Sequence, residues 1–142
     1  MIPDSSFEYS TGVKRFETIR DARLYVKKLL ESYEKTRDNI SALAGDIMRD
    51  SGGGDESQSK GWYKVGSLFA NKTDTTRAGL DILFQVLRES KPKIAAVEEA
   101  LRSLNKFEEA EFIESETVLL YIHQGVPERI VVGGNLAEEG QG

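Results

Sequence analysis

Thr18-Ile-Arg-Asp-Ala-Arg-Leu-Tyr-Val-Lys-Lys-Leu-Leu-Glu-Ser-Tyr-Glu-Lys-Thr-Arg-Asp-Asn-Ile-Ser-Ala-Leu-Ala-Gly-Asp-Ile-Met-Arg49 sets the frame of the chain. Its apolar residues fall at Ile19, Ala22, Val26, Leu29, Tyr33, Ile40, Leu43 and Ile47, in alternating steps of three and four once polar Thr36 is counted as a seam position. That is a heptad seam kept for about four heptads, the pattern of a helix laid along partner helices. No proline interrupts it, and a helix of this span is on the order of 50 Å long. Thr18 and Asp21 resemble a capping box with Asp in place of Glu, so the helix is expected to start there. It is expected to stop at Arg49-Asp50-Ser51, because Gly52-Gly53-Gly54 contributes no packing and loses the most backbone entropy.

Working outward, residues 51–60 are Gly, Ser and acidic residues without an apolar anchor and read as a mobile linker. The glycines do not make a phosphate cradle. Gly61 is followed by Trp62 rather than Lys-Ser/Thr, and Asp55 and Glu56 would repel phosphate. Trp62, Val65, Leu68 and Phe69 have helical spacing, which predicts a second helix over 61–90. It is either continuous or recapped at Thr73 or Asp74, since Asn, Asp and Thr favour caps. Leu80, Leu83, Phe84 and Leu87, widened by Ile82 and Val86, give it a broad apolar face. Lys91-Pro92 is expected to end that helix and Pro92 to open a third, whose stripe is Ile94, Val97, Leu101 and Leu104.

From Thr117 the texture is β-branched and aromatic. Thr117–His123 and Glu128–Val132 flank Gln124-Gly125-Val126-Pro127, which predicts a β-hairpin. A lone hairpin is marginal in water, so a third strand is needed, from Phe7–Val13 or from a second copy. The expected fold is mainly α: a long antiparallel helical hairpin plus a third helix, a coiled-coil-like bundle, with a small C-terminal β-hairpin. One domain spans 1–142, with an arm at 1–17, the bundle at 18–112, the hairpin at 113–133 and a disordered tail at 134–142.

Composition narrows the function. The chain has 142 residues, no cysteine and one histidine. Disulfides and cysteine-based metal sites are excluded, and a reducing, cytoplasmic compartment is expected. No secretory signal is visible at the N-terminus, and no apolar run is long enough to span a membrane. The formal charge of −5 arises in residues 91–142, with five basic and ten acidic groups; the rest is balanced. That balance argues against a nucleic-acid partner. His123, alone and at a strand end, makes a poor catalyst or ligand. The asparagines of two glycosylation-type triplets, Asn39 and Asn71, read as chance matches.

The leading expectation is a non-enzymatic protein–protein interaction module, a coiled-coil adaptor or assembly subunit, working as a homo-oligomer or within a complex and needing no cofactor. The candidate contact residues are the basic stripe Arg20, Arg23 and Lys27, the off-seam Leu30, and Trp62 with Tyr63. Trp and Tyr either anchor the second helix or form a hot spot. The alternative is a small helical enzyme holding Mg2+ on Glu98, Glu99 and the acidic run Glu108–Glu116. It is weakened because Arg102 stands where a further ligand would help and no second acidic cluster follows on a helix.

Overall fold

A computed structural model describes residues 5–50, 59–109 and 116–133. The order of elements is β1 (Gly12–Phe16), α1 (Ile19–Asp50), β2 (Tyr63–Val65), β3 (Leu68–Ala70), α2 (Thr75–Glu109), β4 (Val118–His123) and β5 (Val126–Val132). The fold is mixed α/β rather than mainly α. Among the described residues there are two helices and two small antiparallel sheets, and no third helix.

The long seam survives intact. Asp21 N–H donates to Thr18 Oγ1 at 3.2 Å, the first half of the anticipated cap. All nine seam positions from Ile19 to Ile47 are buried or half-buried, Thr36 included.

Two expectations fail in the middle of the chain. Residues 62–70 are not helical; they form the β2–β3 hairpin. Trp62, Val65, Leu68 and Phe69 match a helical stripe, but a run this short fits both periods. Glycines at Gly61 (φ +88°) and Gly66 (φ +61°) decide for a turn. Val65 pairs with Leu68 across Gly66-Ser67, and positive φ at the first central residue alone is the type II′ hairpin turn. The second failure is Pro92. It neither ends one helix nor starts another, because α2 runs through it from Thr75 to Glu109. Proline withholds only its own N–H, so the ladder loses one hydrogen bond there and continues.

The chain divides into two compact units. Unit 1 is Lys35–Ser90 with the first six residues; unit 2 is Phe7–Glu34 with Lys91–Gly142. Each unit thus takes one half of each helix.

Unit 2 is built on a three-stranded sheet in the order β1-β4-β5. The predicted third strand does come from the N-terminal arm, but at Gly12–Phe16, paired antiparallel from Gly12↔Ile122 to Phe16↔Val118. Along β4 the residues alternate, with Val118, Leu120 and Ile122 buried and Leu119 and Tyr121 half-exposed. The buried row meets Ile19, Ala22, Val26 and Tyr33 of α1 and Ile94, Val97 and Leu104 of α2 in one core. Each fully buried aliphatic side chain contributes roughly 1.5–3 kcal/mol, so this row fixes the register of the sheet. The turn is the two-residue Gln124-Gly125, both with positive φ, tighter than the expected 124–127. Phe7 and Tyr9 are not in a strand. They pack on Tyr33, with ring centroids 5.8 and 5.6 Å away.

Unit 1 holds the second half of α1, the β2–β3 hairpin and the first half of α2. Its buried apolar residues are Ile40, Ala44, Ala78, Leu80 and Leu83. The expected tail at 134–142, most of the 51–60 linker and most of the acidic run lie outside the described residues.

Candidate functional site: an exposed hairpin on unit 1

The base of the β2–β3 hairpin is fastened by side chains that a linker reading of 51–60 misses. Ser59 is buried, and both its backbone N–H, at 3.0 Å, and its hydroxyl donate to Asp81 Oδ2 of α2. The Trp62 indole N–H in turn donates to the Ser59 hydroxyl. Burial alone would raise the pKa of Asp81, but it is outweighed. The Ser59 hydroxyl and amide, the Trp62 indole and the Arg77 charge hold the carboxyl below its ordinary value.

One residue on, Lys60 is gripped at both ends of its backbone. Its N–H donates to Asp74 Oδ2 at 3.2 Å, and its carbonyl accepts from Asn71 Nδ2 at 2.9 Å. Asn71 also takes the N–H groups of Thr73 and Asp74 on its Oδ1, and Ala78 N–H reaches the Asp74 carbonyl. The expected helix start at Thr73 or Asp74 is therefore met, with Asp74 as the cap residue of a helix beginning at Thr75. Asn71, discounted as a chance triplet, ties the helix start to the incoming leg of the hairpin. A side chain at Gly61 would strike the Thr73 hydroxyl, which is why the leg turns on glycine.

Above this fastened base the hairpin is bare. Trp62 is 37%, Tyr63 43%, Val65 56%, and Leu68 and Phe69 each 70% exposed. The register pairs Tyr63 with Ala70, Lys64 with Phe69 and Val65 with Leu68. Since side chains alternate in a strand, Tyr63, Val65, Leu68 and Ala70 share one face. On the other face Trp62 and Phe69, with Ile82 and Phe84 of α2, line an open groove of about 400 Å³ that also touches Asp81, Gln85 and Arg88. Lys64 and Lys72 stand over the Phe69 and Tyr63 rings, each 6.0 Å from the centroid.

The other anticipated contact residues lie on unit 2. Arg20 and Lys27 are exposed on α1 and Arg23 is half-buried. Leu30 is half-buried and packs on the unit 2 core, as does Tyr25, so both have cover within the chain; Leu24 is left exposed. Of the carboxylates offered for Mg2+, Glu99 is engaged by Arg102 at 2.7 Å. The Arg102 hydrogen bonds and charge hold Glu99 below its ordinary pKa. Among the described residues no three His, Asp or Glu side chains come together as a metal site. His123 is exposed at the end of β4, with Nδ1 3.3 Å from the Tyr121 hydroxyl. No described helix is long and apolar enough to cross a membrane.

No family model, curated protein or solved structure matches the chain.

Proposed function

We propose that this protein is a non-enzymatic protein–protein interaction module of the cytoplasm, a subunit of an assembly, and that its docking element is the β2–β3 hairpin. The supporting observation is the pairing of a fastened base with a bare tip. A two-stranded hairpin has too little surface of its own to bury Leu68 and Phe69, yet the Ser59–Asp81–Trp62 and Lys60–Asn71–Asp74 bonds hold it in place. Rigid, exposed aromatic and aliphatic side chains are what interfaces use as anchors. The lack of cysteine supports a reducing compartment.

Photo-cross-linking in the native cell tests the reading. A photoreactive phenylalanine analogue at Tyr63 is expected to capture a protein, and Leu68→Lys in the same chain is expected to abolish capture. The same analogue at Lys27 serves as the control on unit 2. If Tyr63 captures nothing, or if Leu68→Lys leaves its capture unchanged, the hairpin is not the docking element.

A further inference from the structure

Pairing geometry says what the edge of β3, Leu68-Phe69-Ala70, offers. Successive residues of an antiparallel strand point their N–H and C=O alternately toward and away from the neighbour. Leu68 closes the two-residue turn with Val65, so Leu68 and Ala70 face β2 and Phe69 faces away. Phe69 thus presents one donor and one acceptor outward, with no strand beside them in the two-stranded sheet. The same strand holds Leu68 and Phe69, the two most exposed large apolar side chains among the described residues.

The charge around this edge has one sign. Lys60, Lys64 and Lys72 lie between residues 59 and 73, and no acidic residue lies there with them. All three are exposed, and among the described residues none of them is in an ion pair. The carboxylates at the hairpin base are engaged already, Asp74 by the Lys60 N–H and Asp81 by Ser59. Lys64 is the cross-strand neighbour of Phe69, and its ammonium crosses to the Phe69 ring, 6.0 Å from the centroid. A cation of β2 is thereby carried onto the strand that has the open edge. Lys72 does the same on the other face, over Tyr63.

From these two observations we infer that β3 takes up an extended segment of a partner protein as a third, antiparallel strand, and that this segment alternates acidic and apolar residues. The inference rests on the hairpin being the docking element. One residue of an antiparallel strand exchanges both backbone hydrogen bonds with Phe69. Its side chain falls on the face of Phe69 and Lys64, about 4.8 Å beyond Phe69. A carboxylate at that place meets the Lys64 ammonium. The next residue lies opposite Leu68 on the other face, where an aliphatic side chain covers it. Other occupants fit this edge worse. A second copy brings lysines against lysines. A membrane would draw the outward N–H and C=O of Phe69 into hydrocarbon, which does not admit an open sheet edge. Single-stranded nucleic acid stacks its bases on ring faces, and Phe69 and Tyr63 already carry ammonium groups there.

The probe is a fluorescein-labelled ten-residue peptide of alternating Glu and Val, read by fluorescence anisotropy against the full chain. It is expected to bind saturably and at least tenfold tighter than the same peptide with Lys in place of Glu. Its binding should weaken at least fivefold from 0.05 M to 0.5 M salt. Lys64→Glu is expected to reverse the preference between the two peptides with the helical circular dichroism unchanged. Lys28→Glu, on the exposed side of α1, should leave the preference as it was. N-methylation separates strand pairing from charge attraction alone. A methyl on every Glu nitrogen blocks the bond to the Phe69 carbonyl and should abolish binding. A methyl on every Val nitrogen points away from β3 and should not. No saturable binding, equal binding of the two peptides, or binding that survives methylation of Glu overturns the inference. So does tighter binding of a thymidine decamer or of phosphatidylserine vesicles, or a dimer of the chain alone that Phe69→Lys disperses. Should the peptide fail to bind while a photoreactive residue at Tyr63 still captures a protein that Leu68→Lys releases, the inference fails and the docking reading stands. Should that capture be absent as well, both fail.

Discussion

Tyr33 shows how one residue fixes a turn ninety positions away. Its hydroxyl donates to the Gly125 carbonyl at 2.9 Å inside unit 2, while Phe7 and Tyr9 pack on its ring. Burial, and then the neighbouring Tyr9 and Tyr25, push its pKa up from 10.0 to about 12. A folded-state pKa above the unfolded one gives stability that is complete below pH 10 and is lost as pH rises through 12. Tyr33→Phe leaves a buried carbonyl without its donor and is expected to cost about 1–3 kcal/mol at neutral pH. It should also flatten the alkaline limb of a pH–stability curve read by urea denaturation. Gly125 is the other half of the contact. Its φ is +81°, and an added Cβ would strike the Tyr33 hydroxyl and come within 2.8 Å of the Tyr9 ring. Gly125→Ala should therefore destabilise by more than about 2 kcal/mol, since strained backbone and overpacking act together. At the hairpin base the sign reverses. Asp81 is held below its ordinary pKa, so its contribution is present above the unfolded carboxylate pKa and is lost as pH falls through the folded one. Asp81→Asn should shift Trp62 emission to the red at pH 7 and remove its response as the pH falls below about 4, the ordinary carboxylate value.

At the scale of elements, α2 carries an avoidable weakness. Pro92 is exposed and its ring withholds the N–H that would reach the Arg88 carbonyl. Pro92→Ala should raise stability by about 1–3 kcal/mol, seen as a higher melting temperature. What the sequence makes legible follows from how long each signal runs. The α1 seam repeats over four heptads and only one structure fits it. The C-terminal hairpin was equally legible, because Thr117–His123 is β-branched and a Gly-containing turn follows. Residues 62–70 were not, since four apolar positions in eight residues satisfy a helix as well as two three-residue strands. What separates the two readings is a pair of positive φ angles at Gly61 and Gly66, which periodicity does not reveal. The β2–β3 hairpin was half legible. Trp62 and Tyr63 stood out by type, but Leu68 and Phe69 read as part of a helical stripe. The fastening of Ser59 and Lys60 to Asp81, Asn71 and Asp74 needs side chains brought from up to 22 residues away.

For the whole molecule, the Gly/Ser-rich connector sorts into two parts. Replacing residues 51–58 with a Gly-Ser stretch of equal length should leave the melting temperature unchanged, because closure entropy depends on length, at about 0.6 kcal/mol per doubling. Extending the replacement through Ser59 should lower it and expose Trp62. Intrinsic fluorescence can follow the two units apart. The sole tryptophan lies in unit 1, and Tyr9, Tyr25, Tyr33 and Tyr121, four of the five tyrosines, lie in unit 2. The position of Pro92 gives that separation a meaning. It stands two residues beyond Ser90, where unit 1 ends, so the missing rung of the α2 ladder falls at the junction of the units. Unzipping that starts in one half of α2 meets a step there that carries no amide hydrogen bond to transmit it. Native-state hydrogen exchange should therefore resolve two opening free energies along one uninterrupted helix, one for amides before Ser90 and one for those after Lys93. Pro92→Ala should merge them, turning two cooperative blocks into one.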